Sequence, residues 1–398
     1  MSIEFLKIFK GDTMIRILHL FLILLSLLFF SNSESKQGKE YLRVSGKSIV
    51  DSSGNKILLK GIAFGNEVWS NPSLPPEKHH SEKDFLYLKQ LGFNSIRFYL
   101  NYKLFEEDSE PYKYKESGFK WIEENLHWAE KNRIYLILNM HVPQGGFQSN
   151  AETDKLWKNE EYQKRFLSLW KEIASRFKNE RYLLGYSILN EPAVYGGIDT
   201  WNTFSQKTVQ TIRSVDSNHI IIVERMQCAL KSFGRIDWSE NVNGDMNFPK
   251  IDDSNVMYEF HFYKPLQFSH QGASWIPSLK KIDIDYPGYF TDWNNVKKYA
   301  DKKYLLNEII PYVKFSQKYN VPIYLGEFGL IKGAFENGKH GTEWVSDVID
   351  ICHENGINYN YHTFHETAFG LYQNKSDNFP GELNVILADT FKKKLSVR

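Results

Sequence analysis

Cysteine is nearly absent. Only Cys228 and Cys352 occur in 398 residues. They stand far apart and outside any metal-ligand spacing, which excludes a disulfide scaffold and a zinc-finger type of site. Two buried free thiols are the expectation. A surplus of either charge is also missing. Lys and Arg total 49 against 48 Asp and Glu, a formal net charge of +1. Nothing electrostatic therefore favours nucleic acid or an anionic membrane. Phosphate-binding loops are lacking as well. The stretch GIAFGNEVWS after the first strand-like run has no dinucleotide fingerprint, and no GxxxxGK[ST] occurs. No HExxH is present, and no close His/Asp triad, so the histidines are not read as metal ligands. No low-complexity linker or charge block divides residues 40–398.

Long apolar runs are equally scarce, with one exception at the N-terminus. MIRILHLFLILLSLLFFSNSES begins at Met14, carries Arg16, and runs apolar from Ile17 to Phe30. That is shorter than the ~20 residues a spanning helix requires. Ser31 and Ser33 follow at the spacing of a signal-peptidase site. The expectation is a signal peptide over residues 1–33, with 1–13 an extension upstream of the functional start. It places the mature chain outside the cytoplasm, secreted or periplasmic; the competing reading is an uncleaved anchor.

What the sequence has in quantity is aromatic residues, 15% of the chain, which serve both cores and ligand platforms. They punctuate a repeating theme. YLRVSGKSIVDSSGNKILLKG alternates around the turn signal Ser53-Gly54-Asn55 and predicts a short β-hairpin. Eight strand-like runs follow: LLKGIAFG, FNSIRFYL, IYLILNMH, LLGYSILNEP, IIIVERM, VMYEFHFY, PIYLGEFG and INYNYHTF. Between them lie helical stripes. Phe166, Leu169, Trp170, Ile173, Ala174 and Phe177 share one face, as do Phe119, Ile122, Leu126 and Ala129, and Val345, Val348, Ile349 and Cys352. Ser81 with Asp84 reads as a capping box, and Gly92 as the stop of that helix. Alternating strands and helices imply parallel strands with helical crossovers. Eight such units predict a (β/α)8 TIM barrel with a short N-terminal β-hairpin, one domain spanning 40–398.

A barrel of this kind presents its site at the C-terminal ends of its strands. Those ends carry Arg97 (strand two), His141 (three), Asn190 and Glu191 (four), His261 and Tyr263 (six), Glu327 (seven), and His362 and His365 (eight). Glu191 and Glu327 lie on strands that face each other across the mouth. Opposed carboxylates are what glycoside hydrolysis requires, one protonating the leaving oxygen while the other attacks the anomeric carbon or activates water. The bland rivals are a helix-capping Glu191, a solvated turn acid at Glu327, a structural Arg97 and core histidines at 141 and 261.

The strings SIRFYL, NMHVPQGG, YSILNEP, EFHFYKP and YLGEFG stand in order along the chain. With them, residues 40–398 resemble glycoside hydrolase family 5, retaining (β/α)8 glycosidases of the cellulase type. The resemblance implies Glu191 as acid/base and Glu327 as nucleophile. Arg97 and Tyr263 would keep Glu327 ionised, Asn190 would hold the sugar 2-hydroxyl, and His141 and His261 would bind hydroxyls or orient the glutamates. One position departs from the family pattern: strand eight usually ends in a Trp beneath the cleaved sugar, where this chain has His362. Trp69 and Trp275 are candidate stacking platforms, and Asn66 and Gln144 candidate hydroxyl selectors. The expected partner is a β-linked glycan, foremost a β-1,4-glucan cut endo-fashion. No metal or organic cofactor, nucleic acid or obligate protein partner is implied. The alternatives are a β-mannanase, a hydrolase of glycolipids or short glycosides, and, from another class, a carbohydrate-binding protein without catalysis.

Overall fold

The computed structural model describes residues 41–373 and 381–396. The signal-peptide reading of residues 1–33 lies outside them. No helix among the described residues is long and apolar enough to cross a membrane.

Eight parallel strands close into a barrel in sequence order: β1 (Lys60–Phe64), β2 (Ser95–Asn101), β3 (Tyr135–Val142), β4 (Leu183–Ser187), β5 (Ile220–Glu224), β6 (Val256–His261), β7 (Ile323–Phe328) and β8 (Asn358–Tyr361). All eight predicted strands are present, and the (β/α)8 barrel is the fold. The fourth is shorter than its apolar run suggests. It ends at Ser187, and Ala193–Tyr195 forms a separate short strand parallel to Cys228–Leu230. The N-terminal hairpin is also larger than predicted. Arg43–Ser45, Ser48–Val50 and Lys56–Ile57 make a three-stranded antiparallel sheet. Gly46, at φ 57°, turns the first pair, a bend the sequence reading overlooked.

Inside a closed barrel every second residue of a strand points inward. Ile137, Leu184, Ile220, Ile222, Met257 and Tyr324 fill the lower interior, and Leu42 and Ile49 of the N-terminal sheet pack against them. The sheet thus plugs the end away from the strand C-termini. Further along the same strands the inward positions turn polar: Asn139 and Glu259 two residues on, and Ser187 three residues on beside a ladder irregularity, all fully buried. The outward positions, among them Phe98, Leu138, Tyr186 and Phe260, join the larger core under the helices.

The helices follow their sequence signals. Glu160–Phe177 carries the predicted stripe and is capped by Asn159, whose side chain accepts from the Glu161 N–H at 2.9 Å. Each fully buried Phe or Leu on that face contributes about 1.5–3 kcal/mol. Trp170 donates its indole N–H to the Ile188 carbonyl at 3.0 Å, which ties this helix to the segment leaving β4. Trp201 does the same at β5, donating to the Glu224 carbonyl at 2.9 Å. Glu82–Leu91 starts at Ser81, whose N–H donates to Asp84 at 2.7 Å, and stops at Gly92 in the left-handed region. Both cysteines are buried free thiols.

Candidate active site

The C-terminal rim of the barrel gathers the polar strand ends. Ladder irregularities fall at the ends of β2, β6 and β7, between Leu100 and Asn101, Phe260 and His261, and Leu325 and Phe328. Such bulges re-aim side chains at the end of a strand.

Glu327 sits in the most elaborate surroundings. Its Oε1 accepts from Arg97 Nη1 and from the Tyr99 hydroxyl, both at 2.8 Å, and its Oε2 accepts from the Tyr263 hydroxyl at 2.8 Å. Burial alone raises a carboxyl pKa, but His261, His362 and Arg97 outweigh it and hold Glu327 well below the usual carboxylate range. Arg97, fully buried, spreads its fork over three partners: Nη1 on Glu327, Nη2 on Asn190 Oδ1 at 2.9 Å, and Nε at 2.8 Å from Glu259 Oε1. Asn190 therefore faces the same guanidinium as Glu327.

Glu191 is held differently. Its backbone lies at φ 42°, a left-handed conformation that costs a non-glycine residue about 1–3 kcal/mol. Its N–H donates to Glu224 Oε2 at 2.8 Å. Its Oε1 accepts from His261 Nδ1 at 3.0 Å, and the same nitrogen lies 3.6 Å from Glu327 Oε2. One oxygen of Glu191 and one of Glu327 are within 4.8 Å of each other.

Two histidines have their protons fixed by neighbours. Asn139 donates its amide N–H to Ser187 and so turns its Oδ1 to His141, which must carry its proton on Nδ1 at 3.1 Å. Burial keeps His141 neutral, well below the ordinary histidine pKa, with Nε2 left as an acceptor. His141 stacks on Tyr99 at 3.9 Å. At His362 the logic reverses. The Tyr99 hydroxyl gives its proton to Glu327 and accepts from His362 Nδ1 at 2.9 Å, while His362 Nε2 lies 3.1 Å from Glu366 Oε2. Burial disfavours charge on this ring, but Glu327 and Glu366 more than compensate and raise its pKa. Where family members usually carry a Trp, this barrel has a histidine linked through Tyr99 to Glu327.

The structure thus brings Arg97, His141, Asn190, Glu191, His261, Tyr263, Glu327 and His362 into one site. Trp69 stands half-exposed at its edge, its ring perpendicular to His141 at 5.1 Å. Trp275 is further out, reaching His362 and Tyr263 only through Phe369. Asn66 and Gln144 are buried. Asn66 donates to the Tyr99 carbonyl at 3.0 Å, and Gln144 donates to Glu106 at 2.7 Å beside Arg165. Both amide N–H groups are thereby engaged within the protein. Sequence reasoning missed Tyr99, Glu224 and Glu259. The signal was available: Tyr99 is two residues from Arg97 and Glu259 two from His261, so each shares an inward face with a residue already singled out.

A hollow of about 390 Å³ opens beside the site, lined by Trp69, Asn101, Lys103, Asp108, Phe147 and Tyr162 among others. It is continuous with the platform at Trp69 and large enough for a sugar ring.

Residues 50–367 match the Cellulase family, glycosyl hydrolase family 5. Endoglucanase C of Acetivibrio thermocellus is 28% identical over 329 residues, covering 77% of this chain and 90% of the relative. Two Thermotoga maritima Cel5A crystal structures superpose over 84% of this chain. One, a mutant form with cellobiose, has a TM-score of 0.64 at 25% identity and is covered to 96%. The other, with mannotriose, has a TM-score of 0.63 at 26% identity and is covered to 97%. With the family match spanning most of its length and the opposed carboxylates at its barrel mouth, the chain belongs to glycosyl hydrolase family 5 and is a glycosidase.

Proposed function

We propose that the protein is a retaining endo-β-1,4-glucanase in which Glu327 is the nucleophile and Glu191 the acid/base. The observation that carries this reading is the asymmetry of two carboxylates whose oxygens lie within 4.8 Å of each other. Retention needs carboxyl groups about 5–5.5 Å apart, whereas inversion needs about 6.5–9.5 Å to admit a water. Three donors on Glu327 favour its ionised form and leave Oε2, with one bond, as the freer oxygen for attack. Glu191 meets a single side-chain donor, His261, and keeps its other oxygen for the leaving group.

The reaction then runs in two steps. Glu327 Oε2 bonds to the anomeric carbon as the glycosidic C–O bond breaks, and the proton of Glu191 goes to the departing oxygen. Water next attacks the same carbon, gives its proton to Glu191, and releases Glu327. Asn190, fixed by Arg97, is placed for the 2-hydroxyl. Neutral His141 offers Nε2 as an acceptor to a neighbouring hydroxyl, and Trp69 offers an apolar face.

A glucan substrate is supported by the endoglucanase relative and the cellobiose complex. Mannan is the second reading, supported by the mannotriose complex. We further propose secretion or periplasmic export through the N-terminal apolar segment, with the catalytic domain spanning residues 40–398. The deciding experiment is reducing-end release from soluble β-glucan and β-mannan, with Glu191→Gln alongside and a 2-fluoro cellobioside as a trap for Glu327. Release from glucan and a covalent adduct on Glu327 are expected. Release from mannan alone overturns the substrate, and an adduct elsewhere overturns the nucleophile.

A further inference from the structure

Beneath the proposed catalytic pair lie two more acids that the two-step mechanism does not use. Glu259, in the middle of β6, and Glu224, at the end of β5, are both buried. Glu259 is a built feature. Its Oε2 accepts from the Ser187 hydroxyl at 2.6 Å, and its Oε1 lies 2.8 Å from Arg97 Nε. Its carboxylate fills the space beside Gly326, the residue before Glu327. A Cβ on Gly326 would stand 1.8 Å from Glu259 Oε1, so the glycine makes room for the acid. Glu224 Oε2 accepts the Glu191 N–H at 2.8 Å and lies 4.0 Å from Arg97 Nη2. Both acids meet the same ring. His261 Nε2 is 3.5 Å from Glu224 Oε2 and 3.5 Å from Glu259 Oε1.

We propose that Glu224 and Glu259 are positioning residues of the hydrolysis: they hold the Nε2 side of His261 from within the barrel, so that its Nδ1–H serves as one shared counter-charge for Glu191 and Glu327. The proposal rests on the roles given to those two glutamates above. As glycosylation proceeds, the negative charge leaves Glu327, which becomes an ester, and appears on Glu191, which has lost its proton. His261 Nδ1 is 3.0 Å from the second and 3.6 Å from the first, so the charge moves without leaving the reach of one cation. A neutral imidazole could not do this.

The groups facing His261 come from every neighbouring strand: Glu191 after β4, Glu224 on β5, Glu259 on its own strand, Glu327 on β7, and Arg97 behind them on β2. Burial disfavours charge on the ring, but ionised Glu327, with the Glu191 and Glu259 contacts, outweighs it and holds its pKa well above the ordinary histidine value. The two lower acids differ. Burial, reinforced by Glu259 and Glu191, pushes Glu224 well above the carboxylate range. Burial also opposes charge on Glu259, but Arg97 and then His261 and Ser187 carry it below. Glu259 is therefore the charged anchor, and Glu224 fixes the Glu191 backbone and the far edge of the ring.

The test uses the full chain and its Glu259→Gln and Glu224→Gln variants, with nitrogen-15 histidine NMR and kinetics on two aryl β-cellobiosides. Dinitrophenolate leaves without a proton, whereas a simple phenol needs one. The parent should show His261 doubly protonated at neutral pH, and Glu259→Gln should lower the pH at which the ring loses its second proton. Both variants should lose at least ~10-fold in kcat on the phenyl substrate, less on the dinitrophenyl one, with KM little changed and the pH profile displaced. A neutral His261 in the parent overturns the proposal, and that measurement stands even if a variant fails to fold. Equal losses on both substrates with an unmoved pH profile also overturn it, since a purely structural role acts that way. A parent silent on both cellobiosides and on glucan overturns the assigned function instead, and the NMR result still decides the clamp.

Discussion

Acidification should loosen the loop between β1 and the following helix through one histidine. His80 is buried and sits at the end of a directed chain. The Asn66 N–H donates to His79 Nε2 at 3.2 Å, which leaves the His79 proton on Nδ1. That proton goes to His80 Nδ1 at 2.7 Å, and His80 in turn donates from Nε2 to Asn125 Oδ1 at 2.6 Å. A second proton on His80 has only Nδ1 to bind, where it meets the His79 N–H head-on. Burial above all, partly offset by the Asn125 bond, lowers the His80 pKa to about 4 from 6.5. The folded value lies below the unfolded one, so the contribution is full above pH 6.5 and is lost as pH falls toward 4. The drop from 6.5 to about 4, at 1.36 kcal/mol per pH unit, is about 3 kcal/mol. The measurement is urea unfolding of the parent and of His80→Gln at several pH values between about 7 and 4. Other titrating groups are common to both proteins and cancel in the difference. The stability gap should shrink by about 3 kcal/mol, or change sign, across that window. Parallel curves would refute the argument. Because Asn66 also holds the Tyr99 carbonyl, activity should decline over the same range.

Three further predictions address the site. Tyr263→Phe removes one of the three donors to ionised Glu327; at about 1.5–3 kcal/mol for a charge-assisted bond, kcat/KM should fall roughly 10–100-fold. The acidic limb of its pH–rate profile should move upward, and an unmoved limb would contradict the assignment. Gly326→Ala should unfold well before the parent in a thermal melt, since the new methyl collides with the Glu259 carboxylate. Trp69→Ala should raise KM for cello-oligosaccharides several-fold, consistent with about 0.5–1.5 kcal/mol of stacking, and leave kcat on a short aryl glycoside nearly unchanged.

The eight strands and the helical stripes between them were legible in sequence because burial on both faces produces unbroken apolar runs flanked by turn signals. Glu191 and Glu327 stood out because each interrupts such a run at the point where the chain emerges. The same rule hid Glu224 and Glu259. Each was read as part of a strand, IIIVERM or VMYEFHFY, rather than as its exception, although an acid inside a covered strand is rare unless it is paired. Asn66 and Gln144 show what a loop position conceals: their amide N–H groups looked available to a ligand, while in the fold they are engaged by Tyr99 and Glu106. His362 was placed correctly by position, but its link to Glu366 and Tyr99 depends on a loop geometry that no local pattern encodes. The third strand of the N-terminal sheet was lost at Gly46-Lys47, a turn with a weaker signature than Ser53-Gly54-Asn55.

The left-handed backbone at Glu191 bears on how this protein would respond to selection for heat tolerance. Glycine adopts a φ of 42° freely and glutamate only at a cost, so replacing Glu191 with glycine relieves local strain and removes a carboxylate from a crowd of others. A screen scored on folding alone would therefore be drawn to the residue the reaction can least spare. The position marks a boundary between two optima, and keeping glutamate there is a standing choice of turnover over persistence.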